Sequence, residues 1–186
     1  MNAKHFGWAA AALLAGTLGM TECRAQRPRH GRQVGGADVA AYAGARFHSS
    51  NRRISGYPFG NSDITATVGA EFRDADAYWQ LLLDGVDSFA GARHGDARVF
   101  TPQLNLIFKD RAFLGGIGVL RTYVDDGEER KGWTRFYYQY LLGLDLPIGS
   151  RFGLTAFAAY PIVRWRDLYQ FRSSELEYTV GLSLRF

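Results

Sequence analysis

One short polar stretch, His48-Ser49-Ser50-Asn51, holds the residues whose types and spacing could carry out chemistry. A serine hydroxyl becomes a nucleophile when a histidine accepts its proton and a carboxylate orients that histidine. Asp63 follows later in the chain and could supply the carboxylate. His48, Ser50 and Asp63 are therefore a candidate triad for ester cleavage. The plainer interpretation, which we favour, is that the stretch begins a polar loop.

The rest of the chain offers no second catalytic or ligand-binding pattern. Its histidines lack metal-ligand spacing, and the glycine-rich segment 115–118 is not a phosphate loop, because no helix follows it. The formal net charge of +4 comes without a dense stripe of lysine and arginine, so it does not indicate a nucleic-acid partner. We therefore expect no metal, no cofactor and no nucleic acid.

The first 25 residues have the pattern of a secretory signal peptide. Lys4 precedes a short apolar stretch, and the small Ala25 stands before the expected cleavage site. The alternative is lipidation of Cys23, which Glu22 disfavours, because lipoprotein signals carry a small residue at that place. Cleavage after Ala25 removes the single cysteine, so the mature chain needs no disulfide.

The remaining chain divides into a tail and one domain. Residues 26–36 are basic and poor in apolar side chains, so we expect a flexible periplasmic tail there. Residues 37–186 contain no run of about 20 apolar residues that would predict a membrane-spanning helix. This range must therefore fold by another pattern.

That pattern is a period of two. From residue 38 onward, apolar and polar residues alternate in eight segments, as in half-buried β-strands. The segment around Phe136 to Leu146 is the clearest, whereas 112–123 is apolar on both faces and its orientation cannot be assigned. Long polar connections follow the first, third, fifth and seventh segments, and short ones follow the others. The sequence predicts an all-β fold, an eight-stranded antiparallel transmembrane β-barrel with short periplasmic turns and longer extracellular loops.

A soluble lipocalin-like barrel would also alternate, but its apolar face would point inward. Two features favour an apolar face that points toward lipid. The opposite face carries charges, and the consistent apolar face has aromatics near the strand ends, as interfacial girdles require. These aromatics are Phe47, Phe72, Trp79, Phe100, Phe108, Phe136, Tyr160, Tyr178 and Phe186.

The polar face would line the barrel interior, where opposite charges at matching heights can satisfy one another. Pairing of the first and last strands would bring Arg46 within reach of Glu175 or Glu177. We predict two ion-pair layers that set strand register in a plugged interior, because eight strands leave room only for side chains. The layer near the loops comprises Arg46, Asp84, Arg135, Glu175 and Glu177, and the layer near the turns comprises Glu71, Lys109, Asp145 and Arg185.

The last strand carries the most specific motif. Thr179, Gly181, Leu184 and Phe186, with Tyr178 beside them, resemble the C-terminal insertion signal of outer-membrane proteins. In its alternation and loop lengths the mature chain resembles the small eight-stranded outer-membrane barrels, the OmpX and OmpA transmembrane-domain type. The resemblance implies location in the outer membrane of a Gram-negative bacterium and recognition by the outer-membrane assembly machinery.

The expected function is that of an integral outer-membrane β-barrel, a porin-like cell-envelope protein with a plugged interior and a structural or surface-interaction role. Its expected partners are outer-membrane lipids and lipopolysaccharide, whose phosphates could contact arginines in or beside the long loops. The first alternative is a lipid A-modifying enzyme, because His48-Ser49-Ser50-Asn51 resembles the His-x-Ser-Asn element of lipid A deacylases. The second alternative is a soluble lipocalin-like binder.

Overall fold

The computed structural model of the protein describes residues 38–61, 63–74, 76–86, 97–126 and 131–186. The predicted signal peptide and the predicted tail lie outside these ranges. The described residues form ten β-strands and two short 3₁₀ segments, Trp165–Gln170 and Ser173–Glu175. The strands are β1 Asp38–Phe47, β2 Ile64–Arg73, β3 Ala77–Val86, β4 Arg98–Asp110, β5 Phe113–Leu120, β6 Tyr123–Asp125, β7 Lys131–Trp133, β8 Tyr137–Ile148, β9 Phe152–Ile162 and β10 Glu177–Arg185.

Eight of these strands form a closed wall. Each pairs antiparallel with its neighbours in the order β3-β2-β1-β10-β9-β8-β5-β4, and the pairing of β3 with β4 closes the circle. The short β6 and β7 form a hairpin that extends the wall beyond β5 and β8 and pairs with β4 through β6. The predicted fold class, an eight-stranded antiparallel β-barrel, is confirmed.

The connections lie at two ends of the barrel. Tight connections between β2 and β3, between β4 and β5 and between β8 and β9 join strands at one end, which we call the turn end. Longer connections, which include residues 48–61, 121–126 and 163–176, lie at the opposite end, which we call the loop end. Of the helices in the described ranges, none has the length and apolar character needed to cross a membrane.

The wall has apolar side chains outside and polar side chains inside. Along β3, for example, Trp79, Leu81 and Leu83 are exposed, whereas Gln80 and Asp84 are buried. The predicted girdle aromatics are exposed with one exception. Tyr160 is only 4% exposed, because Phe171 folds back onto its ring, at 4.8 Å between centroids. Its prediction as an interfacial aromatic is therefore wrong.

The fifth strand shows why its sequence was ambiguous. Ile117 faces outward and is exposed, whereas Leu114 and Leu120 are buried on the inner face. A Cβ on the inward-facing Gly118 would lie 2.0 Å from Asn105 Oδ1 and 3.0 Å from Gln139 Nε2. Glycine stands at this inward position because polar side chains of two neighbouring strands meet there. Leucine and glycine at the inward positions do not indicate a polar lumen. The sequence of this strand therefore shows no alternation between apolar and polar residues.

The connection between β1 and β2 folds into the loop end of the barrel. Ile54 packs against Leu120 and Tyr137 of the inner wall. Phe59 joins a second apolar cluster with Val99 and Val124. We call residues 48–61 and 63 the first loop. A third cluster lies deeper inside the barrel and contains Tyr78, Ile107, Leu114, Leu141, Phe157 and Ala159.

Candidate functional site

Arg46 is the centre of the polar interior near the loop end. It is only 2% exposed and uses several of its five N–H donors at once. Its Nε and Nη2 lie 2.8 and 2.7 Å from Oε2 of Glu177. Its Nη1 donates to Gln103 Oε1 at 2.9 Å, and its Nη2 donates to Gln139 Oε1 at 2.9 Å. The charge is therefore buried with a carboxylate and with neutral acceptors around it.

Closure of the barrel creates this pairing. Arg46 lies opposite Thr179 in the ladder between β1 and β10, and Glu177 lies two residues before Thr179 on the same inward face. Asp84, on β3, lies 3.5 Å from Arg46 Nη1. Its carboxylate accepts hydrogen bonds from Thr67 Oγ1 at 2.7 Å and from Gln103. The network thus joins strands from opposite sides of the wall, and we call it the upper network.

His48 and Tyr57 extend the upper network into the first loop. The buried imidazole of His48 stacks on Phe59, at 3.7 Å between ring centroids. Its Nε2 lies 2.9 Å from Thr65 Oγ1, and its Nδ1 lies 3.3 Å from both Tyr57 Oη and Glu177 Oε1. Tyr57 donates its hydroxyl proton to Glu177. Burial and the negative charge of Glu177 raise the pKa of Tyr57 well above its ordinary value, so the phenol stays protonated as a donor.

The candidate triad is not assembled. The ring nitrogens of His48 face Thr65, Tyr57 and Glu177, as described above, while Ser50 lies exposed in the loop. The contact between Asp63 and His48 is a backbone hydrogen bond, in which the His48 N–H donates to the Asp63 carbonyl at 2.8 Å. The Asp63 carboxylate accepts the backbone N–H of Gly60 at 2.8 Å. The imidazole is oriented by interior groups rather than toward a serine.

Glu175 belongs to the barrel mouth rather than to the Arg46 cluster. It forms an ion pair with Arg53 of the first loop, and its Oε1 lies 3.8 Å from Arg172 Nη1. The guanidinium of Arg53 also lies 5.4 Å from the ring centroid of Tyr160. Sequence reasoning missed Arg53, because periodicity carries no information about where a loop folds.

A second network, which we call the lower network, lies near the turn end around Asp145. The buried Asp145 Oδ2 accepts from Lys109 Nζ at 2.6 Å, Arg73 Nη1 at 3.1 Å and Arg185 Nη2 at 3.3 Å. Arg73 also pairs with Glu71, at 2.6 Å from Nη2 to Oε2. Arg73, the last residue of β2, is absent from the predicted lower layer. Arg73 lies two residues after Glu71 and therefore on the same face of an alternating strand, and this spacing is the signal that could have identified it.

Arg135, predicted to face the interior, is exposed. It lies in the break between β7 and β8, and the alternation of the wall begins only at Tyr137. The prediction extended the strand period beyond the strand and is wrong.

The described polar side chains of the interior form ion pairs and hydrogen bonds with one another rather than a metal site. Within the described ranges, no group of three or more histidine, cysteine, aspartate or glutamate side chains could hold a metal ion. The carboxylates instead face guanidinium, ammonium, amide and hydroxyl donors. Such an arrangement can hold neighbouring strands in register and occupy the lumen.

The C-terminal strand forms half of the closing seam. Tyr178, Leu182 and Phe186 are exposed on the outer face, and the Phe186 N–H donates to the Val39 carbonyl at 3.0 Å. A Cβ on Gly181 would lie 2.4 Å from the Tyr42 hydroxyl oxygen. The glycine of the predicted insertion signal therefore also makes room for an interior tyrosine.

Comparison with family models and with curated proteins finds no match. Three solved structures are similar in fold. Neisserial surface protein A is 15% identical, with a TM-score of 0.48, and the match covers 82% of this chain and 98% of that chain. The Yersinia pestis outer membrane protein Ail is 11% identical, with a TM-score of 0.46, covering 81% and 99%. A structure from the de novo design of transmembrane β-barrels is 7% identical, with a TM-score of 0.46, covering 87% and 98%. The strand pairing of the chain itself establishes a closed eight-stranded antiparallel β-barrel.

Proposed function

We propose that this protein is an integral outer-membrane β-barrel of a Gram-negative bacterium, with a structural or surface-interaction role and a lumen that conducts no solutes. The observation that carries the proposal is the inverted polarity of the wall. Large apolar side chains cover the outside, whereas ion pairs and amides fill the inside. A soluble protein would leave this apolar band in water, where contiguous exposed apolar surface is rare.

The inside argues against the soluble lipocalin-like alternative. A ligand-binding barrel of that kind offers an apolar interior to its ligand. Here the upper network, from Arg46 to Glu177 and Gln139, crosses the lumen. The first loop adds Tyr57 and Phe59 at the mouth. These contacts support a filled barrel that displays its loops rather than a container or a pore.

The proposed partners follow from the two surfaces. The outer face would contact membrane lipids, and arginines near the loop end would contact phosphates of lipopolysaccharide. The outward aromatic at the end of β10 would be read by the outer-membrane assembly machinery during insertion. Two aromatics near opposite ends of the wall, Phe136 and Phe108, are exposed as interfacial girdles require.

Fractionation and conductance test the proposal. The protein should be recovered with the outer membrane, and it should migrate differently in detergent gels before and after boiling, because a closed barrel resists unfolding. Vesicles that contain it should show no swelling in small sugars. Recovery in the soluble periplasm without heat-modifiable migration would refute membrane insertion. Swelling would refute the closed lumen while leaving membrane insertion intact.

A further inference from the structure

The outer wall carries an apolar groove along β5, with a volume of about 230 Å³. Its floor is β5, where the outward-facing Ile117 and Val119 lie between leucines of β4 and tyrosines of β8. The ladders set Val119 between Leu104 and Tyr138, and Ile117 between Leu106 and Tyr140. We call this feature the β5 groove, and its side-chain lining is Trp79, Leu104, Leu106, Ile117, Val119, Tyr138, Tyr140 and Trp165.

An indole from the loop end covers one side of the groove. Trp165 begins the 3₁₀ segment that follows β9. Its ring stacks on Tyr138 and meets Tyr140 edge-on, with both centroid distances at 5.9 Å. The loop therefore folds down along the outside of the barrel at this point. The groove is bounded by aromatic rings where it approaches the loop end.

The cationic side chain of Arg121 lies at that same end of the groove. Arg121 follows Val119 by two residues, and its N–H donates to the Pro102 carbonyl at 3.4 Å, so it continues the ladder of β5 along β4. Its guanidinium carbon lies 5.0 Å from the centroid of Phe136 and 5.2 Å from that of Trp133. Its Nε donates to the Thr134 carbonyl at 2.8 Å.

The nearby aspartates Asp125 and Asp167 form an ion pair or accept a hydrogen bond from other residues. Among the described residues, the Arg121 side chain contacts aromatic rings and a backbone carbonyl. Asp125 on the adjoining hairpin pairs with Lys131, at 3.3 Å. Asp167, near Trp165, accepts the backbone N–H of Arg164 at 2.9 Å. A guanidinium that is held by aromatic faces is thus left to meet an external anion.

We propose that the β5 groove binds one acyl chain of a phosphorylated outer-leaflet glycolipid, the lipid A part of lipopolysaccharide, with Arg121 contacting a phosphate. The inference rests on the proposed membrane location, which puts the loop end at the outer leaflet. The dry aromatic lining suits a hydrocarbon chain, and guanidinium matches phosphate with paired N–H donors. Trp133 lies against the arginine, and Trp165 lines the groove itself.

A second outer groove lacks this combination. It lies over the small side chains of Ala41 and Ala43 and is bounded by Phe152 and Phe186. It lies toward the turn end, away from the proposed outer leaflet. We therefore expect it to be covered by lipid without selecting a charged headgroup, and it serves as a control.

Lipid retention by the purified, folded barrel in mild detergent tests the proposal. Native mass spectrometry would compare phosphorylated lipid A, dephosphorylated lipid A and phosphatidylglycerol. The wild type should retain phosphorylated lipid A in preference to both others. Arg121→Gln should lower its retention about tenfold, since a hydrogen bond to a charged group is lost. Val119→Trp, which fills the groove from the outside without touching the interior, should lower it as well.

Two matched variants serve as controls. Arg151→Gln removes an exposed arginine at the turn end, and Ala43→Trp fills the second groove; both should retain phosphorylated lipid A like the wild type. Equal retention by Arg121→Gln or Val119→Trp would overturn the proposal, and so would equal retention of phosphatidylglycerol by the wild type. Heat-modifiable migration is recorded for every variant. A wild type that inserts into vesicles but retains no lipid A refutes this inference alone, whereas a wild type that does not insert refutes the proposed function.

Discussion

At the scale of single residues, Arg46 is the buried charge whose contribution to stability depends most on its carboxylate partner. A buried guanidinium that loses its carboxylate is left uncompensated, which typically costs about 3–5 kcal/mol. Alternation together with barrel closure predicted that Arg46 pairs with Glu175 or Glu177, and the structure shows the pair with Glu177. The same reasoning could not find Tyr57 or Arg53, which reach the interior from a loop, and it misplaced Arg135. Residues on regular strands were predictable because a period fixes their direction, whereas loop residues have no period.

Charge reversal tests the Arg46–Glu177 pair. Glu177→Arg should lower the free energy of unfolding by about 3–5 kcal/mol, because it puts two guanidinium groups together in a dry interior. Adding Arg46→Glu should recover part of this loss, since opposite charges face each other again. Urea unfolding in lipid vesicles measures both changes. As a control, Lys131→Glu at the exposed pair with Asp125 should cost at most about 1 kcal/mol. A double variant no more stable than Glu177→Arg alone would contradict the pairing.

The geometry of His48 leads to a second prediction at this scale. Because its ring nitrogens face Thr65, Tyr57 and Glu177, Ser50→Ala should change nothing in the lipid A of cells that express the protein. Mass spectrometry of extracted lipid A compares the wild type, the variant and cells without the gene. An acyl chain lost only when Ser50 is present would establish the deacylase alternative and reject our preference.

At the scale of the element, β5 shows how a strand accommodates the interior of its neighbours. The side chains of Asn105 and Gln139 meet over Gly118, whereas a Cβ on Gly115 would have no heavy atom within 4 Å. The sequence of this strand predicted its existence but not its orientation. The reason is physical: its inward positions are filled by leucine and glycine, while the polar groups come from β4 and β8.

Two alanine substitutions on this strand therefore form a matched pair. Gly118→Ala should destabilise the barrel by about 1–3 kcal/mol, because overpacking forces Asn105 and Gln139 apart. Gly115→Ala should be neutral or slightly stabilising, since alanine loses less backbone entropy on folding than glycine. Urea midpoints of the two variants in the same vesicles give the comparison. Equal midpoints would contradict the close approach at Gly118.

At the scale of the whole molecule, the barrel exists only if its first and last strands pair. The period and the alternation of loop lengths predicted this closure, while the register had to come from the structure. Ala43 lies opposite Leu182 in the seam between β1 and β10. The Phe186 N–H bonds to the Val39 carbonyl, so every second pair along this seam is a hydrogen-bonded pair, including the outward-facing Ala43 and Leu182. The Cα atoms of such pairs lie about 5.5 Å apart.

Cross-linking tests the closure directly. The mature chain is expected to carry no cysteine, so Ala43→Cys with Leu182→Cys provides the only thiol pair. A short bifunctional thiol reagent should link the two on the outer face of the folded protein, and the linked chain, closed into a covalent loop, should migrate differently from the unlinked chain after boiling. Ala43→Cys with Leu154→Cys is the matched control, because Leu154 pairs with Leu182 and therefore lies one strand farther from Ala43. A strand spacing of about 4.8 Å puts this second pair out of reach of the shortest reagents. Equal cross-linking of both pairs, or linking of neither, would mean that the seam is open or shifted, and the ion pair between Arg46 and Glu177 would then lose its geometric basis.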